Sequence, residues 1–178
     1  MWKLFKNKKE SRDSFFIQKK KFKKAFFDKE HHCWIKQNSA YQKAFSLLID
    51  SFDQKTLDFL KREKEIVFLQ ASGKLACSLS AIAHSHIILV YPDLTKLLKS
   101  AFFLRGVAVL AHELGHLYHN HGSKDIDPLQ AQIEADQFAC KLGFGYELQE
   151  VLLEYKNSID CRARVGFLTS EFLKTNSQ

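Results

Sequence analysis

The sequence predicts an α+β fold in which helices precede and follow a small sheet along the chain. Three observations lead to this class. Apolar residues recur at helical spacing over 40–64, a run rich in β-branched and aromatic residues follows at "EIVFLQ" (65–70), and long helical patterns return from residue 102 onward. The length of 178 residues suits one domain with its own core, which we place at 37–178.

Residues 1–36 form a basic N-terminal arm. They hold 12 Lys/Arg and 4 Asp/Glu, a net charge of +8, whereas residues 37–178 sum to −1. Phe15, Phe22 and Phe26 are spaced to share one face of a helix, with lysines on the other faces. Such a helix either packs its phenylalanines on the body or binds an anionic membrane surface or a protein partner. Nucleic acid is disfavoured, because no recognised binding motif accompanies the charge.

The first half of the body predicts helix, sheet and a short helix. The helical pattern over 40–64 is interrupted at 51–53, where "DSFD" offers capping side chains. The strand at 65–70 is followed by a turn at Ser72-Gly73 and by one or two strands in "LACSLSAIAHSHIILVY". These end at Pro92, and Asp93 is a candidate N-cap for the helix that follows.

Four helices are predicted in the second half. The first covers about 102–119 and is strongly apolar. The second begins at Asp127-Pro128, with aspartate as cap and proline in the first turn, and ends at Gly143. The last two cover about 146–157 and 159–174.

The segment "VLAHELGHLYHNHGS" (109–123) holds four of the eight histidines. On a helix, His112 and His116 differ by about 400° of rotation, so they project from one face and can share a zinc ion. Glu113 lies about 100° from His112 and can take a proton from a water on the metal without being a ligand itself. The HExxH pattern therefore predicts a hydrolytic zinc site, with a surface histidine cluster as the alternative.

Residues around this motif support a buried site. The apolar run "GVAVLA" before it would bury the helix, and Gly115 would allow another element to approach closely. His119 and His121 do not fit the longer spacing HExxHxxGxxH, because position 122 is glycine and position 119 is histidine. We expect them at the helix end or in the loop, with contact to substrate or to a ligand residue as the alternative.

The segments "AVLAHELGHLYHNH" and "IEADQFACKLGFGYEL" resemble the glutamate-zincin metallopeptidases of the HtpX-type and CAAX-processing group and, more distantly, the ImmA/IrrE-type peptidases. The similarity covers about residues 85–170. It implies a zincin-like fold with a small antiparallel sheet packed on the HExxH helix, one zinc ion, and a strand at "SHIILVYPDL" that holds the substrate. A later family element is echoed at 164–168, but the His-Pro pair that often precedes it is absent, and we assign no role to Arg164.

The third metal ligand is open between two positions. The family pattern E-x-x-A-D implies a zinc-binding glutamate at the position that Gln132 occupies, and an aspartate, here Asp136, that steadies a zinc-binding histidine. Glu134 lies about 200° around the helix from Gln132, so both cannot face the metal. Charge favours Glu134, which we take as the ligand, and spacing favours Gln132. Asp136 holds its supporting role only if Gln132 faces the metal. Further alternatives are Asp125 and Asp127.

The predicted function is zinc-dependent hydrolysis of peptide bonds in a protein or peptide substrate, with Glu113 activating the attacking water. Gln132 in the ligand position motivates an alternative, a catalytically silent binding protein with the zincin fold. A third alternative, based on the more distant similarity, is a mobile-element regulatory peptidase with one protein substrate.

The cysteines and the apolar stretches bear on where the protein acts. Cys33, Cys77, Cys140 and Cys161 form no CxxC pair, which argues against a cysteine zinc site. Without a secretory signal we expect no disulfides, and no apolar stretch approaches the ~20 residues of a membrane span. We therefore expect a cytoplasmic protein, peripheral at the membrane if the arm binds there.

Overall fold

The computed structural model describes residues 2–62, 65–71, 85–155 and 157–175, with side chains from residue 13 onward. This part of the chain mixes helices with a two-stranded sheet, in agreement with the α+β class. The helices are α1 Trp2–Asp28, α2 Cys33–Lys36, α3 Ser39–Asp50, α4 Gln54–Arg62, α5 Pro92–Lys99, α6 Phe103–Tyr118, α7 Pro128–Lys141, α8 Gly145–Glu154 and α9 Ile159–Thr175, and the strands are β1 Glu65–Gln70 and β2 Ser85–Val90. Short 3₁₀ turns cover Glu30–His32 and His121–Ser123.

Capping side chains fix several of the predicted boundaries. The expected break after α3 is confirmed, and the Asp53 carboxylate accepts from the Thr56 N–H at 2.8 Å, inside the first turn of α4. Asp127 caps α7 and accepts from the Gln130 N–H at 3.0 Å. The end of α7 is also as predicted, since Gly143 adopts φ +91°, a left-handed conformation that glycine accommodates without strain.

The start of α5 differs from the prediction. Asp93 is not the N-cap: Tyr91 takes that position and Pro92 is the first helical residue. Proline begins a helix without a side-chain cap, because its φ is already helical and it has no N–H to satisfy. Asp93 lies in the first turn, where it pairs with Lys96 at 3.2 Å.

The sheet also differs from the prediction. An antiparallel sheet was expected, but β1 and β2 are parallel, with Glu65 opposite Ser85 and Gln70 opposite Val90. The strand spacing allows this, because 14 residues separate Gln70 from Ser85 and a parallel pair needs a connection of about a dozen residues or more. The turn predicted at Ser72-Gly73, and any strand before Ser85, lie outside the described residues.

The core joins the end of the basic arm to the body. Phe26 and Ile35 are buried in the main apolar cluster with residues of α3, both strands, α6 and α8, and Phe22 packs against it. Phe16 and Ile17, farther back on α1, are exposed. The expected packing of the aromatic face therefore holds for its C-terminal part. Within the described chain, no helix combines the length and apolarity needed to cross a membrane.

His32 is a buried polar residue at this junction. Its Nε2 accepts from the Phe68 N–H at 3.1 Å, so its Nδ1 must carry the hydrogen and donates to the Phe26 carbonyl at 2.8 Å. The side chain thereby ties α1 to β1 while neutral. Burial lowers the pKa of His32 to about 4, and the bond to Phe26 opposes this shift only in part.

His32 should make the fold sensitive to mild acid. Below the ordinary histidine pKa the unfolded chain binds a proton that the folded chain refuses, so stability is lost as pH falls from about 6.5 to 4. The loss from this group is at most about 3 kcal/mol. We expect the free energy of unfolding of metal-free protein to fall less steeply over this range in His32→Gln than in wild type. His31→Gln, at an exposed neighbour, should keep the wild-type slope, and equal slopes in all three would contradict the prediction.

Candidate metal centre

Helices α6 and α7 cross closely at Gly115. A Cβ placed there would lie 2.8 Å from the Ala135 Cα and 2.9 Å from its carbonyl oxygen, so only glycine fits. The close approach expected of Gly115 is therefore confirmed. Gly115 precedes His116 and lies opposite Ala135, the neighbour of Asp136, so this contact sets the spacing between the histidines of α6 and the acidic residues of α7.

Gly115→Ala should separate these two helices. We expect a loss of about 1–3 kcal/mol in unfolding free energy, because the added methyl meets backbone that cannot move aside. Divalent-metal affinity should fall with it. The matched control is Gly166→Ala on α9, where an added Cβ has no atom within 4 Å and helix propensity favours alanine. Equal thermal midpoints for the two variants would show that the crossing is not tight.

The two histidines of α6 face each other as the motif predicts. The Nε2 atoms of His112 and His116 are 3.1 Å apart, and the two rings are nearly perpendicular. Two imidazole nitrogens bound to one tetrahedral zinc ion would be about 3.3 Å apart, given bonds of ~2.0–2.1 Å. The observed separation therefore fits a shared ion with little movement of either ring.

Asp136 and Arg164 orient His112 from the side of the ring that faces away from His116. The fully buried Asp136 carboxylate lies 2.7 Å from His112 Nδ1, and Arg164 Nε and Nη2 donate to its two oxygens at 2.7 Å each. Burial raises the pKa of Asp136, but the hydrogen bonds from Arg164 and His112 outweigh burial and leave that pKa below its ordinary value. An ionised carboxylate only accepts, so His112 Nδ1 donates and its Nε2 lone pair is free for a metal.

Arg164 contributes to this site, although no role could be assigned to it from the sequence. It lies on α9, 28 residues after Asp136, and the two charges meet in a bidentate pair that is largely buried. The echo of the family element at 164–168 was the available signal. Because the His-Pro pair that often precedes this element is absent, the similarity gave Arg164 no role. A sequence alone does not show that α9 packs on α7.

The two candidates for the third ligand lie on different sides of α7. Gln132 precedes Asp136 by one turn of α7, so it lies on the side that meets His112. Glu134 is half a turn away, and its carboxylate pairs with His121 Nε2 at 3.0 Å and His119 Nδ1 at 3.8 Å. Glu134 is therefore not placed beside the two histidines of α6.

The other acidic alternatives are also accounted for. Asp127 is occupied as the N-cap of α7. Asp125 lies exposed in the loop before it. Of the alternatives to Glu134, Gln132 is the one whose helical position matches that of Asp136.

His119 and His121 lie at the end of α6 and in the loop after it, as expected, and they also approach the other two histidines. His119 caps the end of α6, and His121 begins the 3₁₀ turn, with Asn120 between them in a left-handed conformation at φ 55°. The two rings stack almost parallel, 5.4 Å apart. Together with Glu134 they are the one group of three His, Cys, Asp or Glu residues, within the described ranges, whose ligand atoms all lie within 4.8 Å. This group could hold a metal ion.

His116 links the two histidine pairs. Its Nδ1 lies 2.8 Å from His121 Nδ1, on the side opposite the contact with His112. Burial, reinforced by the neighbouring His112 and His121 rings, lowers the pKa of His116 to about 4. His116 is therefore neutral near pH 7 and has one lone pair to offer.

A cleft of about 390 Å³ opens beside this centre. Glu113 and His116 line one side, and three consecutive residues of β2, 87–89, line the other. Successive strand residues point to opposite faces, so a cleft lined by all three runs along the strand edge. Tyr91, Leu94, Val109 and Leu117 make the rest of the lining mostly apolar.

Comparison with protein-family models, with curated proteins and with solved structures finds no match to this chain. The resemblance to glutamate-zincin peptidases stays a prediction. What supports a function is the geometry of the site itself.

Proposed function

We propose that the protein is a zinc-dependent peptidase that holds its ion between His112 and His116. The observation that carries the proposal is the pair of Nε2 atoms 3.1 Å apart, with Asp136 fixing the hydrogen of His112 on the opposite nitrogen. This arrangement directs two lone pairs at one point. Glu113, next in the chain to the first histidine, lines the adjacent cleft.

The donor set fits zinc. Two neutral imidazoles suit zinc and related transition metals, and a third protein ligand completes a catalytic site that keeps one position open. We place Gln132 in that third position, because it shares the side of α7 from which Asp136 reaches His112. A neutral amide oxygen is a weaker ligand than a carboxylate, so we expect weaker metal retention than three charged or imidazole ligands would give.

The residues of the cleft can divide the work of hydrolysis. When bound, the ion would polarise the peptide carbonyl and acidify the attacking water. Glu113 would accept the proton from that water and pass it to the leaving amine. The edge of β2 would pair with an extended substrate through its main chain, and Leu94, Val109 and Leu117 would receive an apolar side chain.

A second candidate function is a binding protein that keeps this geometry without turnover. The amide of Gln132 in the ligand position favours it, because a weakly held ion leaves the site empty at low metal concentration. The cleft along β2 would then bind an extended peptide and release it unchanged.

Cleavage of an unfolded protein separates the two functions. Purified full-length protein, stripped with a chelator and reloaded with zinc, is incubated with casein, and Glu113→Gln is the matched variant. Zinc-dependent cleavage by wild type alone supports the peptidase. Equal cleavage by both proteins would remove it, and binding without cleavage would favour the second candidate.

A further inference from the structure

Five side chains form an unbroken line of contacts across the centre. Asp136 meets His112 at 2.7 Å, His112 meets His116 at 3.1 Å, His116 meets His121 at 2.8 Å, and His121 meets Glu134 at 3.0 Å. Each imidazole uses one ring nitrogen toward each neighbour. A carboxylate closes the line at both ends.

This line of side chains has fewer hydrogens than contacts. Each neutral imidazole carries one N–H, and an ionised carboxylate carries none, so three hydrogens serve four contacts. Both terminal carboxyls accept from further donors, as ionised carboxylates do: Arg164 donates to both oxygens of Asp136 at 2.7 Å, and Gln130 Nε2 donates to Glu134 Oε1 at 3.2 Å. One contact therefore lacks a hydrogen and has two lone pairs facing each other. A cation fits there, either a metal ion or one further proton.

With the proposed catalytic ion bound, each remaining contact in the line has one hydrogen. With the ion between the Nε2 atoms of His112 and His116, His116 Nδ1–H donates to His121 Nδ1. His121 then carries its hydrogen on Nε2 and donates to Glu134. Every other contact is a good hydrogen bond.

An ion between His121 and Glu134, at the other end of the line, also leaves one hydrogen for each remaining contact. His121 Nε2 and the Glu134 carboxylate then face the cation, and the half-buried His119 brings a third ligand atom within 4.8 Å of both. His121 donates from Nδ1 to His116, which in turn donates from Nε2 to His112. Two imidazoles and one carboxylate suit a zinc-class transition metal.

We propose that His119, His121 and Glu134 form a second site for a divalent transition-metal ion, and that the two sites exclude each other. With both occupied, His116 and His121 would point N–H groups at each other across 2.8 Å. The proposal of a second site depends only on the positions of its own three ligand residues. The exclusion rests on the proposed function, because it requires the first ion on His112 and His116.

The consequence is a centre with two alternative states. An ion at the second site holds the hydrogen of His116 on Nε2, the nitrogen that the catalytic site needs as a lone pair. That state binds metal but does not position it beside Glu113. Transfer of the ion requires the hydrogens of His116 and His121 to change nitrogen together.

Cobalt(II), which reports its ligands through visible absorption, is the probe for the test. Full-length wild type is expected to saturate at one equivalent in equilibrium dialysis. His112→Asn keeps an N–H toward Asp136 but removes the first site, and His116→Ala removes it in a second way. Both variants should still bind one equivalent, with an altered spectrum, and adding Glu134→Ala to either should abolish binding. His31→Asn, at an exposed histidine, is the matched control and should behave as wild type.

Each result tests a separate part of the proposal, either the second site or the exclusion between the two sites. Loss of binding in folded His112→Asn or His116→Ala, or binding that survives Glu134→Ala in them, would overturn the second site. Two tight equivalents in wild type would overturn the exclusion. None of these readouts uses peptide cleavage, so failure of the peptidase assay with Glu113→Gln is distinguishable from failure of the second site.

Discussion

Glu113→Gln is expected to slow peptide cleavage by orders of magnitude while leaving the metal content of the protein unchanged. Glutamine has the same size as glutamate but accepts no proton, so the attacking water loses its base. General bases contribute about 10²- to 10⁴-fold to rate, and kcat/KM should fall by that amount. Glu113 lines the cleft beside His116, so the substitution changes the reacting side of the site rather than the core.

The measurement combines cleavage kinetics with elemental analysis of the same samples. Glu30→Gln, at an exposed position in the first 3₁₀ turn, is the matched control and should retain wild-type kcat/KM. Full activity in Glu113→Gln would show that this carboxylate is not the base. Loss of metal from the variant would show instead that Glu113 is a ligand.

Asp136→Asn is expected to have the largest effect on the fold. It leaves the Arg164 guanidinium, which is mostly buried, without its carboxylate partner. Removal of one partner from a buried pair costs about 3–5 kcal/mol, because the remaining charge is desolvated and unpaired. The hydrogen bond that orients His112 is weakened as well, and metal affinity should fall about 10- to 100-fold.

The pH dependence of the same pair gives an independent measurement. The folded-state pKa of Asp136 lies below its unfolded value, so its stabilisation is complete above the unfolded pKa and is lost as pH falls through the folded one. Without Arg164 the pKa of Asp136 should rise, because burial would no longer be opposed by the guanidinium. Urea unfolding of metal-free Arg164→Ala should therefore show a smaller loss of stability on acidification than wild type, because the folded-state pKa moves toward the unfolded one or above it. Arg162→Ala, at an exposed position on α9, should not, and a shared pH profile would contradict the role of the pair.

Much of this centre follows from local sequence. Helical periodicity is a short-range property, so the positions of His112 and His116 on one face, the break at 51–53 and the start of α7 at Asp127-Pro128 could all be predicted. The glycine at 115 could be interpreted in the same way, since a missing Cβ in an apolar helix indicates a close neighbour.

The features that the sequence does not determine depend on contacts between distant segments. The two strands pair in parallel, and strand composition does not report the direction in which strands pair. Glu134 as the third ligand, favoured by its charge, stays a prediction. The phase of α7, fixed by the bond of Asp136 to His112, directs its carboxylate to His121, where it joins a group that could hold a metal ion. Arg164 required knowledge of how α9 packs.

Asn120 has a consequence for natural variation of this chain. Its left-handed backbone turns the loop so that the flanking rings, His119 and His121, stack face to face. Asparagine and glycine tolerate that conformation, whereas valine or isoleucine would be strained in it. A natural variant with a branched residue at position 120 is therefore expected to lose the stacking of the two neighbouring imidazoles.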